Sequence, residues 1–247
     1  MVRKDVGVVL KTVRSGESSK LITFLGCDSG KINLLGKGAL SPRSPFRGAL
    51  ELGNVIEVVY YHKEGRTLFF LKEVCVRSTL GRARESLAHL SCAMGLMELV
   101  ERVCYWGSPE KRIVDLVEEF LGDPLADDPL HTYLVLEFKI LEILGVVPDF
   151  SGCPTCGAGI VDGHYLPAEG TSFCKRHSPA SPHRVLLDAT LLEYIATVAR
   201  STLDEASRIE VTAACRKRFG QILHWTYTFH IEGYRLPEAL KLIQKRR

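Results

Sequence analysis

The hydrophobic period of this chain changes once, near residue 80, and that change limits its architecture more than any other feature. Before it, apolar residues come in short runs rich in β-branched types. Val6–Val13, Leu21–Leu25, Lys31–Leu35, Val55–Tyr61 and Thr67–Val74 each read as a strand. Lys63-Glu64-Gly65-Arg66 between the last two is a hairpin turn with a glycine free to take positive φ. After residue 80 the repeat lengthens to three and four. Leu87, Leu90, Met94, Met97, Val100 and Cys104 mark one helix face. Ser108-Pro109 predicts a helix start carried on by Ile113, Val117 and Phe120. Asp128-Pro129 predicts another, ending near Gly145 and Pro148, and helical patterning returns at Leu186–Val198 and from about Ile209 to Ile231. Five short strands with glycine-rich connections fit a small closed barrel such as an OB-fold. The expected fold is therefore α+β. A five-stranded OB-fold barrel over residues 1–80 is followed by a mostly α-helical domain over 81–247, with a metal-bearing insertion at about 150–180.

That insertion has little helical character and is rich in glycine and proline. It carries Cys153-Pro154-Thr155-Cys156 and, after seventeen intervening residues, Cys174-Lys175-Arg176-His177. Two such pairs suit one tetrahedral Zn²⁺. Thiolate and imidazole are the ligands this ion prefers, and each short spacing lets a tight turn aim both side chains at one point. Four protein ligands leave no position for water or substrate, so the expected role is structural and not that of a metalloenzyme. His164 and His183 are alternative fourth ligands; His177 repeats the spacing of the first pair. The remaining cysteines, Cys27, Cys75, Cys92, Cys104 and Cys215, have apolar or helical neighbours and read mostly as buried thiols.

Other enzyme motifs fail on spacing. His62-Lys63-Glu64 with Cys153 and Cys156 resembles a zinc-deaminase pattern, but no proline precedes Cys153 and two good ligands would be left idle. Five residues, not four, separate Gly30 from Gly36-Lys37, and a glycine follows the lysine, which excludes a Walker A loop. There is no G-x-S-x-G elbow. A protein without covalent turnover is expected.

Charge supplies the functional lead. Residues 1–80 hold 13 Lys and Arg against 7 Asp and Glu; residues 81–170 hold 6 against 15; residues 171–247 hold 13 against 7. Basic ends around an acidic middle suggest a polyanionic partner. The loop Gly36–Gly48 concentrates Lys37, Arg43 and Arg47 around Phe46, a residue that either stacks on a base or plugs the barrel end. Lys11, Lys20, Lys31, Arg66 and Lys72 lie in or beside the strands and would line a groove for a phosphate backbone. Arg216-Lys217-Arg218, with Lys241, Lys245, Arg246 and Arg247, offers a second basic group. No apolar run is long enough to span a membrane and no signal peptide is read, so a cytoplasmic protein is expected.

Several segments, in order, resemble one family. Gly7-Val8-Val9-Leu10-Lys11-Thr12, Gly16-Glu17-Ser18-Ser19-Lys20-Leu21, Gly30-Lys31, Lys37-Gly38-Ala39 and Phe46-Arg47-Gly48-Ala49-Leu50 are similar to the N-terminal domain of RecO, the bacterial recombination mediator. Leu144-Gly145 and Pro148-Asp149-Phe150 resemble the stretch before that family's cysteine cluster. Phe229-His230-Ile231-Glu232 and Arg235-Leu236 resemble its last helix ending. The resemblance implies an OB-fold, a helical domain with a zinc element, and binding to single- and double-stranded DNA. It also implies annealing of complementary strands, partnership with RecR and with the single-stranded DNA-binding protein, and RecA loading at gaps near the nucleoid. Members with the cluster often carry four cysteines; here His177 takes one place. The competing reading is a zinc-stabilised OB-fold scaffold that binds protein and not DNA.

Overall fold

The computed structural model describes residues 1–122, 128–166 and 170–244. Strands β1 (Val2–Ser15), β2 (Ser19–Gly26), β3 (Gly30–Gly36), β4 (Val55–Tyr61) and β5 (Leu68–Ser78) close into a barrel of order β1-β2-β3-β5-β4. The first strand is long enough to serve two neighbours. Val2–Val8 pair with β4 and Gly7–Ser15 with β2, and a bulge between Val9 and Lys11 bends the strand between them. Parallel pairing of β3 with β5, Asn33 opposite Leu68 and Leu35 opposite Phe70, closes the ring and removes the free edges. Alternate residues fill the interior: Val9, Ile22, Phe24, Leu34, Ile56 and Phe69 are all buried there.

The connection between β3 and β4 is not a free loop. Ala39, Phe46, Ala49 and Leu50 turn into the barrel core, and the Asn54 amide donates to the carbonyls of Gly48 and Ala49. Phe46 is thus the plug and not an exposed stacking ring; burying a ring of this size against the core outweighs leaving it in water.

Val8 and Leu25, opposite each other across β1 and β2, point away from the interior yet are fully buried. Helices α1 (Leu87–Val103) and α2 (Lys111–Gly122) pack on the outside of the barrel, α1 against β1 and α2 against both β1 and β2. Ser86 caps α1 by accepting from the His89 N–H. The second helix begins at Lys111, later than Ser108-Pro109 suggests, because the Glu110 carbonyl is the one that accepts the first helical N–H groups, from Ile113 and Val114. Helix α7 (Glu238–Gln244) also joins this body. Leu240 packs on Gly95, and the Glu98 carboxylate accepts from the N–H groups of Glu238 and Ala239, capping the short helix. The compact units are therefore Met1–Leu125 with Pro237–Arg247, and Ala126–Leu236. The change of period at residue 80 marks the end of the barrel and lies inside the first unit.

The second unit contains α3 (Pro129–Leu144), α4 (Ala189–Arg200), α5 (Leu203–Ser207) and α6 (Ala213–His230). Asp128 caps α3, proline occupies its first turn, and Gly145 ends it at φ 70°, where a side chain would be strained. Tyr133, Leu136, Leu191, Val198, Phe219 and Tyr227 form its buried interior. Three short strands, absent from the sequence reading, make an antiparallel sheet: β6 (Gly163–Leu166), β7 (Thr171–Cys174) and β8 (Val185–Leu187), in the order β7-β6-β8. Leu186, grouped by pattern with the following helix, is in β8; α4 starts only after Asp188, which accepts from the Leu191 N–H.

Candidate functional site

Barrel register decides which side chains can meet a ligand. Val13 lies opposite Leu21, Leu21 opposite Leu35, Leu35 opposite Phe70, and Phe70 opposite Tyr61. Their chain neighbours Ile22, Leu34, Phe69 and Tyr60 fill the core, so this row faces outward. Phe70 is 36% exposed and Tyr61 50% exposed. A second row runs beside it, with Lys11 opposite Thr23, Thr23 opposite Asn33 and Asn33 opposite Leu68; Lys11 and Leu68 are exposed, Asn33 is half-buried and Thr23 is buried. The Thr23 hydroxyl donates to Asn33 Oδ1 at 3.4 Å. An aromatic and aliphatic stripe next to a polar one, with a lysine at the edge, is a surface that can stack bases and hold phosphates.

The basic residues expected to form the groove divide. Lys11, Arg43, Arg47 and Arg66 are exposed and have no carboxylate partner among the described residues. Lys37 is exposed and holds its ammonium 4.6 Å from the Phe70 ring centre, which places a cation at the stripe. Lys20 is only 18% exposed and is neutralised by Glu51, and exposed Lys72 is paired with Glu73. Lys31 leaves the set altogether. It is 6% exposed, donates to the Glu101 carbonyl and sits 4.9 Å from the centre of the Trp106 ring. An ammonium already desolvated and hydrogen-bonded cannot also reach a phosphate. In the second unit, Arg216 pairs with Asp128 and Arg218 with Asp188, so that triplet is largely consumed by structure. Lys245, Arg246 and Arg247 lie outside the described residues.

Tyr61 and Phe70 were not among the residues singled out from the sequence. The signal was available: Tyr60-Tyr61 and Phe69-Phe70 are adjacent aromatic pairs on strands, and a period of two forces one member of each pair outward.

The second feature is a cluster of donors. Cys153, Cys156, Cys174 and His177 bring their ligand atoms within 4.8 Å of one another; His164 and His183 are outside the group. Two turns achieve this. Gly157 N–H donates to the Cys153 carbonyl, and His177 N–H to the Cys174 carbonyl. The β6–β7 pairing, with Gly163 opposite Cys174, sets the second turn at the sheet end. Cys156 Sγ is 4.0 Å from Cys174 Sγ, while His177 Nδ1 is 3.9 Å from Cys153 Sγ and 3.3 Å from Cys174 Sγ. Zinc bonds of about 2.3 Å to sulfur and 2.0 Å to nitrogen give tetrahedral edges of roughly 3.8 and 3.5 Å. The group fits that geometry.

Electrostatics point the same way. Burial pushes the Cys153 thiol up, but N–H groups of Cys174, Thr155 and Cys156 directed at its sulfur bring it down to about 6. Cys156 accepts from the Ala158 N–H, which favours its thiolate, yet burial and the adjoining Cys153 and Cys174 sulfurs hold it above its ordinary value. One thiolate forms readily and resists the next; a divalent cation at the centre removes that conflict.

No helix among the described residues is long and apolar enough to cross a membrane. The family described as Recombination protein O N terminal matches residues 1–79, and that described as Recombination protein O C terminal matches residues 84–238. A DNA repair protein RecO from Exiguobacterium sibiricum is 27% identical over 247 residues, covering 99% of this chain and 97% of that protein. One from Anaeromyxobacter dehalogenans is 28% identical, covering 94% and 92%, and one from Salinibacter ruber is 29% identical, covering 85% and 81%.

Proposed function

The chain belongs to the RecO family of DNA repair proteins, and on that footing we propose that it is a recombination mediator that works by binding and not by covalent turnover. It holds single-stranded DNA on the barrel, brings a complementary strand to it, and anneals the two. With RecR it helps load RecA onto gaps covered by the single-stranded DNA-binding protein, in the cytoplasm at the nucleoid.

The observation that carries this reading is the outward row of Leu35, Phe70 and Tyr61, bordered by Lys11 and Lys37. Stacking from one face leaves Watson–Crick edges open to a second strand. Phosphate neutralisation by Lys11, Lys37, Arg43, Arg47 and Arg66 releases counterions and lowers the repulsion between two polyanions. Annealing asks nothing more of the protein than these two effects.

The Cys153, Cys156, Cys174 and His177 group is proposed to hold one Zn²⁺ as a structural ion. Ligand chemistry and spacing support it, and the closed set gives the metal no reacting position. Its contribution is to order the stretch around 150–180, where the strands are only three or four residues long.

The test is annealing of complementary strands coated with the single-stranded DNA-binding protein, with and without RecR. Accelerated annealing that is lost in a Phe70→Ala, Tyr61→Ala variant supports the reading. A protein that binds partners but neither binds nor anneals DNA is the scaffold instead.

A further inference from the structure

A cavity of about 550 Å³ opens at the mouth of the barrel, within the size range of small-molecule sites, roughly 300–1,000 Å³. Its walls come from the β2–β3 turn, the β4–β5 turn and the segment between α1 and α2. Arg3, Lys31 and Arg66 line it against one carboxylate, Asp28, so it is electropositive. His62 stacks on Phe69 at 4.9 Å across its floor.

Trp106 is the unusual part of this wall. It is 55% exposed, yet it is held on several sides. Lys31 and Trp106 form a parallel β-bridge, Gly107 N–H donates to the Lys31 carbonyl at 3.0 Å, and the Lys31 ammonium lies 4.9 Å from the ring centre. The approach is tight: Gly30 has φ 66°, and a Cβ there would meet Ser108 backbone atoms at about 2.5 Å. An indole fixed by a buried lysine, with half its surface in solvent beside two arginines, is a prepared stacking plate.

We propose that this cavity is a subsite for one nucleotide of a bound single strand, with the base stacked on Trp106 and the adjoining phosphate met by Arg66 and Arg3. Asn33 both lines the cavity and belongs to the polar row, so a strand lying along that row runs directly to it. The inference rests on the reading of the barrel as a single-strand binder. It adds that one base leaves the stack and is held apart. A free nucleotide has the same chemistry, and the two sources are separable by experiment.

The chain has two tryptophans, so a full-length Trp225→Phe protein carries Trp106 as its single indole. Its fluorescence is titrated with a ten-residue oligothymidylate and, separately, with thymidine monophosphate, while oligonucleotide binding is followed independently by anisotropy. The expected result is quenching of Trp106 by the oligonucleotide as it binds. Trp106→Ala should weaken oligonucleotide binding by roughly 5- to 150-fold, the usual range for losing one stacked base. Arg66→Gln, on an exposed turn, should weaken it without altering the fold. Binding without quenching, and with unchanged affinity in Trp106→Ala, overturns the subsite and leaves the strand-binding reading intact. Quenching by the monophosphate without oligonucleotide binding supports a nucleotide site and removes the strand-binding reading. No response to either probe overturns both.

Discussion

Salt dependence of single-strand binding separates the lysines and arginines that face solvent from those the fold has consumed. Lys11, Lys37, Arg43, Arg47 and Arg66 project from the barrel without a carboxylate partner among the described residues. Each phosphate neutralised on a single strand contributes about −0.7 to the slope of log affinity against log salt, so five contribute about −3.5. Raising salt from about 50 to about 150 mM should then weaken binding roughly 50-fold. An Arg43→Gln, Arg47→Gln protein retains three of the five, giving a slope near −2.1 and a loss of about 10-fold over the same interval. Cations elsewhere add to both slopes equally, so the difference of about 1.4 is the quantity to measure. Lys31→Gln is the control: its ammonium is buried under Trp106 and on the Glu101 carbonyl, so it should lower stability and leave the slope unchanged. Fluorescence anisotropy with a labelled oligonucleotide at four salt concentrations gives all three slopes. An Arg43→Gln, Arg47→Gln slope equal to that of the parent, or a Lys31→Gln slope reduced by about 0.7, would refute the assignment of contacts.

Cys174→Ser should abolish stoichiometric zinc by elemental analysis and raise proteolytic cleavage within residues 150–180, because the ion's binding energy is also folding energy for strands this short; a variant that retains both zinc and protection argues against the ligand set. Burial in the second unit pushes the Glu137 carboxyl up to about 8, against a Tyr133 hydrogen bond that holds it down. The contribution of this one group should therefore be full below the unfolded value near 4.5, fall as pH rises to about 8, and level off above it, by on the order of 3–5 kcal/mol. His131, His164 and His224, whose pKa values burial lowers, titrate in the same range, so the quantity to read is the parent's stability minus that of Glu137→Gln, which should fall as pH rises from about 4.5 to about 8; a constant difference would show that another group carries the effect. Gly145→Ala should cost about 1 kcal/mol in urea titration, since the residue ends α3 at φ 70° with nothing packed against it.

Much of the fold is legible in short windows. The five strands, the long helices and the two ligand pairs each depend on residues within about ten positions, where alternation, caps and tight turns act locally. The three-stranded sheet beside the Cys and His cluster escaped because strands of three and four residues carry too little alternation to register. Helix α7 is read only as part of a basic end, and nothing local reveals that Glu98, 140 residues earlier, caps it.

The amino-acid sequence alone determined the class of the protein: a barrel followed by helices, a closed Cys and His ligand set, and an excess of cations at both ends. Those properties follow from periodicity, spacing and charge. Tertiary structure decided which of those residues face solvent. Tyr61 and Phe70 face solvent because they lie opposite each other across β4 and β5 while their neighbours Tyr60 and Phe69 fill the core. Phe46 faces the core because the barrel end must be filled. Lys31, indistinguishable in composition from Lys37, is buried because the segment carrying Trp106 packs over it from 75 residues away in the chain. Whether a cation meets water, a phosphate or an indole depends on what lies across from it. That is a property of pairs distant in sequence and no window of the chain contains it.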